Sequence, residues 1–248
     1  MIPRPVQPQA SLSDAVALGD VDLARRLLAD SVDPDEPRVL DLTPLMRAAL
    51  RDDVEMIEVL LTAGADLQAT ESMGLSSLHI AAQSDSRGAV EALMRAGADI
   101  EQRSLNGMNA LENAAAWGSL EVIELLAGLG ADLNSRSEVV TQGHGYPRDE
   151  GPTPLGIAAW SGQLGSIQIL LELGAAVDAT SSAGNTPLLI AVFSGQAPEL
   201  VELLLEEGAD PEASAECSRG CSLEGTHDVM EWARVLQRTD LVRVLDRY

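Results

Sequence analysis

The strongest constraint on this chain is a short motif that returns every 33 residues. Thr-Pro-Leu occurs at Thr43–Leu45, Thr153–Leu155 and Thr186–Leu188. Between the first two copies, the same slot holds Ser76-Ser77-Leu78 and Asn109-Ala110-Leu111. The five slots are separated by 33, 33, 44 and 33 residues, and the 44 is one period with an insertion of 11. A fixed period of this length is typical of repeat folds, in which each repeat is one supersecondary unit.

A second motif, Gly-Ala followed mostly by Asp, keeps the same phase and supports the period. Its copies are Gly64-Ala65-Asp66, Gly97-Ala98-Asp99, Gly130-Ala131-Asp132, Gly174-Ala175 and Gly208-Ala209-Asp210. Thr, Ser or Asn before an apolar run is typical of a helix N-cap, and Pro suits the first helical turn. Glycine suits the left-handed residue that ends a helix. Each repeat is therefore predicted to form two short helices joined by turns.

The period, Thr-Pro-Leu and Gly-Ala-Asp together resemble the ankyrin repeat. The resemblance covers about residues 11–248. It implies an all-α fold, an ankyrin-repeat solenoid of about seven helix-turn-helix units including N- and C-terminal caps. His79 occupies the position of the family's motif histidine, although Thr-Pro is absent beside it. The resemblance implies a structural role for His79, in which it bonds neighbouring turns.

The register divides the chain into a short tail and a single ankyrin-repeat domain at 10–248. Residues 1–9, which include three prolines, are predicted to form a flexible tail. The predicted segments are repeats at 10–37, 38–70, 71–103, 104–136, 148–180 and 181–213, an insertion at 137–147, a loop at 214–222 and a C-terminal cap at 223–248. In the cap, Asp228–Ala233 fills the Thr-Pro-Leu slot, and this register predicts a buried Trp232.

Charge narrows the class of partner. The formal net charge is −23, every one of the 16 basic residues is Arg, and none lies between Arg148 and Arg219. Phosphates of nucleic acids and anionic membranes would repel such a chain, so we expect neither as a partner. A basic protein is the natural electrostatic partner, although acidity also keeps a repeat protein soluble. No apolar run reaches the ~20 residues of a membrane span, and the N-terminus lacks a signal-peptide stretch, so we expect a cytoplasmic location.

Large apolar residues recur at predicted turn tips, where nothing in the repeat requires them. They are Leu40, Leu42, Met73, Leu75, Leu105 and Met108. The first-helix slots that the resemblance assigns to the concave face add Trp117, Trp160 and Phe193 in a chain with 2% aromatic residues. Aromatic side chains are favoured interface anchors, so these residues are predicted to contact a partner, with Tyr146 of the insertion beside them. Two alternatives stay open: the tip residues fold back on their own turns, and the aromatic rings pack beneath the insertion.

Catalytic signatures are missing from the sequence. His79, His144 and His227 lie in separate repeats, no two have the spacing of a zinc hydrolase, and no Gly-x-Ser-x-Gly elbow occurs. We therefore expect a protein that is not an enzyme, with no catalytic residue, no cofactor and no bound metal. Cys217 and Cys221, with His227 close behind, leave three alternatives: free thiols, a reversible disulfide, or a loosely matched zinc site.

Two functions remain for this sequence. The first is a protein-interaction scaffold, monomeric when free, that binds a partner on its concave face and turn tips. The second is an immunity protein or inhibitor that neutralises a basic toxin or nuclease, a role that ankyrin-like proteins have in bacteria. The net charge of −23 suits the second function.

Overall fold

A computed structural model describes residues 10–36, 39–137, 151–216 and 226–248. These residues form fourteen helices and two short strands. In chain order the elements are α1 (Leu12–Leu18), α2 (Val21–Ala29), α3 (Pro44–Leu50), α4 (Val54–Thr62), α5 (Ser77–Gln83), α6 (Arg87–Arg95), α7 (Ala110–Trp117), α8 (Leu120–Gly128), α9 (Pro154–Ser161), α10 (Leu164–Glu172), α11 (Pro187–Phe193), α12 (Pro198–Glu206), β1 (Ser214–Glu216), β2 (Thr226–Asp228), α13 (Val229–Val235) and α14 (Thr239–Leu245). The prediction of an all-α repeat fold with seven helix pairs is confirmed.

The first helix of each pair begins where the repeat motif predicts. Thr43, Asn109, Thr153 and Thr186 are N-caps whose side-chain oxygens accept a backbone N–H three residues later, and Ser76 directly precedes α5. Proline follows each of the three threonine caps, where its missing N–H leaves no hydrogen bond unmade. Local cap chemistry therefore determines these helix starts.

Contacts divide the chain into two compact units. Unit 1 runs over Met1–Ala81 and Ser86–Asp99, and unit 2 over Ala82–Asp85 and Ile100–Tyr248. Within unit 1, α1 packs on α3, and α4 packs on both α2 and α6. Within unit 2, the first helices pack in the order α7, α9, α11 and α13, while α8 packs on α10 and α12 on α14.

Small side chains allow the first helices to pack closely. Paired alanines lie in their middle turns and have no exposed surface, as in Ala48-Ala49, Ala114-Ala115 and Ala158-Ala159. The leucines of the motif, Leu111 and Leu155, are also fully buried. Each buried leucine stabilises the fold by roughly 1.5–3 kcal/mol, so the core rests on aliphatic packing between successive repeats.

Two features depart from the sequence predictions. β1 and β2 form an antiparallel pair, with Ala215 opposite His227, where only a loop and a cap were expected. Trp232 is partly exposed, so the prediction that it lies in the core is wrong. Its ring packs edge-on against Phe193 and His227.

Several predictions fall outside the described residues. They concern the tail at 1–9, most of the insertion with Tyr146 and His144, and the segment with Cys217 and Cys221. The contribution of Tyr146 to a binding surface and the three alternatives for the cysteines stay predictions.

Candidate partner-binding surface

Trp117 is the most exposed aromatic side chain in the described part of unit 2. It is the last residue of α7, and Gly118 ends the helix in the left-handed conformation, at φ +79°. The residues of α7 from Ala110 to Ala115 are buried, whereas Trp117 is 63% exposed. A large ring held in water at the end of a rigid helix is a feature typical of interface anchors.

Trp160 and Phe193 lie at the ends of α9 and α11, and both are half-buried. The centroid of the Phe193 ring is 4.5 Å from that of Trp232, with the rings edge-on. Part of each ring is therefore covered within the fold, and the contact of these two residues with a partner stays a prediction. In the case of Phe193, Trp232 supplies an apolar neighbour from the next repeat, which covers part of the ring.

Glutamine side chains hold the helix ends that carry the two tryptophans. Nε2 of Gln163 donates to the carbonyl of Ala116 at 3.3 Å, and Nε2 of Gln196 donates to the carbonyl of Trp160 at 2.6 Å. Gly118 and Gly162 make room for these amides, since a Cβ there would lie 2.8 Å and 2.6 Å from the glutamine oxygens. The sequence analysis missed this feature. Glutamines ten residues after successive Thr-Pro-Leu slots were the available signal.

The first helices of unit 2 that carry Trp117, Trp160 and Phe193 present no charged side chain to solvent. Glu112 is the one charged residue in α7, α9 and α11, and it is fully buried. Exposed acidic residues of unit 2 lie on other elements, for example on α12, where Glu199 and Glu206 are exposed. The helices that carry these aromatic residues therefore contribute no exposed charge of their own on a strongly acidic chain.

Glu112 has a structural role at the start of α7. Its carboxylate accepts the backbone N–H of Asn109 at 3.0 Å, the hydroxyl of Ser135 at 3.0 Å, and the guanidinium of Arg103 at 3.2 Å. Burial raises the pKa of this carboxyl, and the hydrogen bond from Asn109 and the charge of Arg103 oppose that effect. The group joins the turns on either side of its helix pair and lies away from solvent.

The turn tips divide into inward and outward positions. Leu42, Leu75 and Met108 each lie directly before an N-cap. This position commonly packs onto the following helix as a hydrophobic staple. Leu42 and Leu75 pack against the core cluster of Met46, Ala69 and Ile80 in unit 1. In unit 2, Met108 is only 6% exposed, so its predicted place on a turn-tip surface is wrong.

Residues three or four places before the N-cap face the solvent. Met73 and Leu40 of unit 1 and Leu105 of unit 2 are all exposed. At these positions the chain has left the helix and reached the tip of the turn, where no neighbouring helix covers the side chain. The part of the predicted tip surface that remains accessible is therefore the outward set, with Leu42 and Leu75 half-buried beneath it.

His79 is fully buried in α5, as its predicted structural role requires. Its Nδ1 accepts the backbone N–H of Ser76 at 3.2 Å and lies 2.8 Å from the hydroxyl of the same residue. Within the described residues, no group of three or more His, Cys, Asp or Glu side chains could hold a metal ion. Nor does that part of the chain contain a helix long and apolar enough to span a membrane.

Comparisons with known proteins agree with this geometry. The family model for ankyrin repeats, which itself describes three copies of the repeat, matches residues 12–104 and 138–215, more than half of the chain. The ankyrin repeat domain of Bcl-3, a member of the IκB protein family, superposes with a TM-score of 0.72 at 25% identity, covering 97% of this chain and 100% of that one. The human ASB11 ankyrin repeat domain superposes with a TM-score of 0.75 at 22% identity, covering 96% of this chain and 97% of that one. No curated protein sequence matches the chain. Ankyrin repeats are generally protein–protein interaction modules, and this chain belongs to the ankyrin-repeat family.

Proposed function

We propose that this protein is an interaction scaffold that binds a partner protein through its aromatic helix ends and its outward turn tips. In unit 2 the contacting residues are Leu105, Trp117, Trp160 and Phe193. In unit 1 they are Met73 at the tip with Leu42 and Leu75 beneath it. The observation that carries the proposal is the exposure of Trp117 on helices that present no charge to solvent.

The energetics favour Trp117 as the anchor of the surface. A tryptophan offers a large apolar area with few rotatable bonds, so its burial by a partner gains contact area with little loss of conformational entropy. The amides of Gln163 and Gln196 fix the neighbouring backbone before a partner arrives. A surface that is already ordered loses less freedom on binding than a flexible one.

The first test uses peptides selected by the wild-type protein from a phage library of random 16-residue sequences. Trp117→Ala should weaken binding of those peptides by about 30-fold, since anchor residues contribute on the order of 2 kcal/mol. The free energy of unfolding should change by less than about 0.5 kcal/mol, because the ring is exposed. Isothermal titration calorimetry and urea unfolding measure the two quantities.

Tyr248→Ala is the matched control, because Tyr248 is another exposed aromatic residue outside the proposed surface. It should leave peptide binding unchanged. Trp160→Ala is less suitable as a first test, since its half-buried ring should contribute to folding as well. Peptides that bind wild type and Trp117→Ala equally would contradict the proposed surface.

A second candidate function is neutralisation of a basic toxin or nuclease. The observation that favours it is the distribution of charge on second helices. In unit 1, Glu55, Glu58 and Glu91 on α4 and α6 form ion pairs with arginines. On α12 and its C-cap, by contrast, no arginine of the described chain pairs with Glu199, Glu206 or Glu207. Unpaired carboxylates leave a field that attracts a cationic partner.

A further inference from the structure

The turn at Leu40 and Asp41, in unit 1, has a backbone that its sequence does not favour. Val39 and Leu42 exchange two backbone hydrogen bonds of 3.1 Å, so the turn has two central residues. Leu40 has φ +54° and Asp41 has φ +68°. Left-handed backbone at both central positions is that of a type I′ turn, which strongly prefers Asn-Gly. Leucine is strained in this conformation.

Other tips use glycine at the left-handed position, as Gly74 and Gly107 do, and thereby avoid the strain. The described non-glycine residues with positive φ are Ser31, Leu40, Asp41, Asp52, Asp85 and Gln237. All of them are polar except Leu40. The three aspartates gain a compensating bond, since their carboxylates accept the backbone N–H of Ser72, Ala89 and Val122 respectively.

Leu40 gains no comparable contact with the residues that the structure describes. Its side chain is 91% exposed, the highest value among the large apolar residues described. The turn beneath it is well supported, because Leu42 packs against the core and Asp41 accepts the N–H of Ser72 at 2.5 Å. The chain therefore holds an apolar side chain rigidly in water at an unfavourable backbone angle. Strain of this kind is concentrated at functional sites.

We propose that Leu40 is a partner-binding knob that inserts into an apolar pocket with a basic rim on the partner protein. The apolar pocket follows from the isobutyl group. The basic rim follows from charge complementarity, because the charged residues of the two described tips, 39–42 and 70–76, are Asp41 and Glu71, both acidic. The inference rests on the proposed scaffold function and names the kind of pocket that one of its outward tip residues enters.

The strain is tested without a partner, by thermal unfolding of Leu40→Asn. Asparagine tolerates the left-handed conformation, so the melting temperature should rise by about 2–4 °C. Ser31→Asn is the matched control, because Ser31 is another exposed residue of unit 1 with positive φ, +64°. A melting temperature of Leu40→Asn equal to or below that of wild type would overturn the claim of strain.

Binding is tested with the same phage library, selected on the wild type. Peptides that enclose the Leu40 side chain should bind Leu40→Asn about 10- to 100-fold more weakly, the loss expected for one buried leucine side chain. Leu40→Met, which keeps an apolar group, should retain most of the affinity, and Ser31→Asn should retain all of it. Selected ligands that bind Leu40→Asn as tightly as wild type, or a selection that yields no ligand sensitive to it, would overturn the knob.

The result separates this inference from the scaffold function. Ligands that lose affinity with Trp117→Ala and not with Leu40→Asn would leave the scaffold standing and remove the knob. Ligands that respond to neither substitution would contradict both. A ligand set that responds to Leu40→Asn alone supports the knob, places binding on unit 1 and contradicts Trp117 as the anchor of the surface.

Discussion

At the scale of single residues, the fully buried Glu112 has the clearest link to solution conditions. Burial raises the pKa of its carboxyl in the folded protein above the ordinary value. The folded state therefore binds a proton at this site more readily than the unfolded state does. The contribution of Glu112 to stability is greatest below the ordinary carboxyl pKa and falls as the pH rises through the raised value.

Replacement of Glu112 isolates this effect from that of the other 38 acidic residues. Glu112→Gln keeps an oxygen for the N–H of Asn109 and has no charge to bury. Its free energy of unfolding, relative to wild type, should therefore increase as the pH rises from 4 to 7. Glu112→Ala leaves the N–H of Asn109 and the hydroxyl of Ser135 without their partner and should be less stable than Glu112→Gln by about 1–3 kcal/mol. Urea unfolding at several pH values measures both, and a difference between wild type and Glu112→Gln that does not vary with pH would contradict the assignment.

The limit of sequence reasoning is visible at the same scale. Asn109 was predicted as an N-cap from its place in the repeat, and it is one. Met108, Leu42 and Leu75 were assigned to the tip surface because they are apolar and lie in a turn. Whether such a side chain points inward depends on the residue that follows, because a residue directly before an N-cap packs onto the helix. The position directly before an N-cap distinguishes the buried Met108 from the exposed Leu105, whereas their apolar character alone does not.

At the scale of elements, the second helices of two repeats receive their N-terminal caps from the preceding repeat. The N-cap residues Ser86 and Ser119, which begin α6 and α8, make no side-chain cap hydrogen bond. Instead, the carboxylate of Asp52 accepts the N–H of Ala89 at 2.6 Å, and that of Asp85 accepts the N–H of Val122 at 3.1 Å. Both aspartates have the left-handed backbone that glycine has at the end of α7 and α9.

Substitutions at Asp52 should therefore follow a defined order. Asp52→Asn keeps both the left-handed preference and an acceptor oxygen, so it should lie closest to wild type. Asp52→Gly relieves the backbone and loses the cap, which costs on the order of 1 kcal/mol. Asp52→Ala loses the cap and also places a Cβ in a left-handed residue, which costs a further ~1 kcal/mol. Urea unfolding gives the ranking, and an alanine variant as stable as the glycine variant would show that the backbone of Asp52 is not constrained.

This bridging role was not available from the sequence. The motif predicts where each helix starts, because cap chemistry is local. It does not predict that Asp52 contacts a residue 37 positions away, since that contact depends on how successive repeats stack. The amides of Gln163 and Gln196 also join successive repeats, although their shared spacing from the Thr-Pro-Leu slots was a signal in the sequence.

At the scale of the whole molecule, the net charge of −23 separates the two candidate functions. A basic ligand is steered toward an acidic protein, so its association rate at low salt should exceed that at 1 M salt by about 10- to 1,000-fold. At 1 M salt the Debye length falls to about 3 Å, and most of the steering is lost. A neutral ligand held by Trp117 should associate at a rate that hardly depends on salt.

Charge removal on α12 tests where the steering field originates. The triple substitution Glu199→Gln, Glu206→Gln and Glu207→Gln should slow association of a basic ligand at low salt and leave its dissociation rate nearly unchanged. The matched control removes three carboxylates that arginines already neutralise, with Glu55→Gln, Glu58→Gln and Glu91→Gln. Stopped-flow association rates of the basic peptides from the phage library, measured over a salt series, give the comparison.

If basic and neutral peptides show the same flat salt profile, neutralisation of a basic toxin is excluded as the function and the apolar scaffold remains. If the basic peptides alone respond to salt and to the α12 substitutions, the unpaired carboxylates are the origin of the steering.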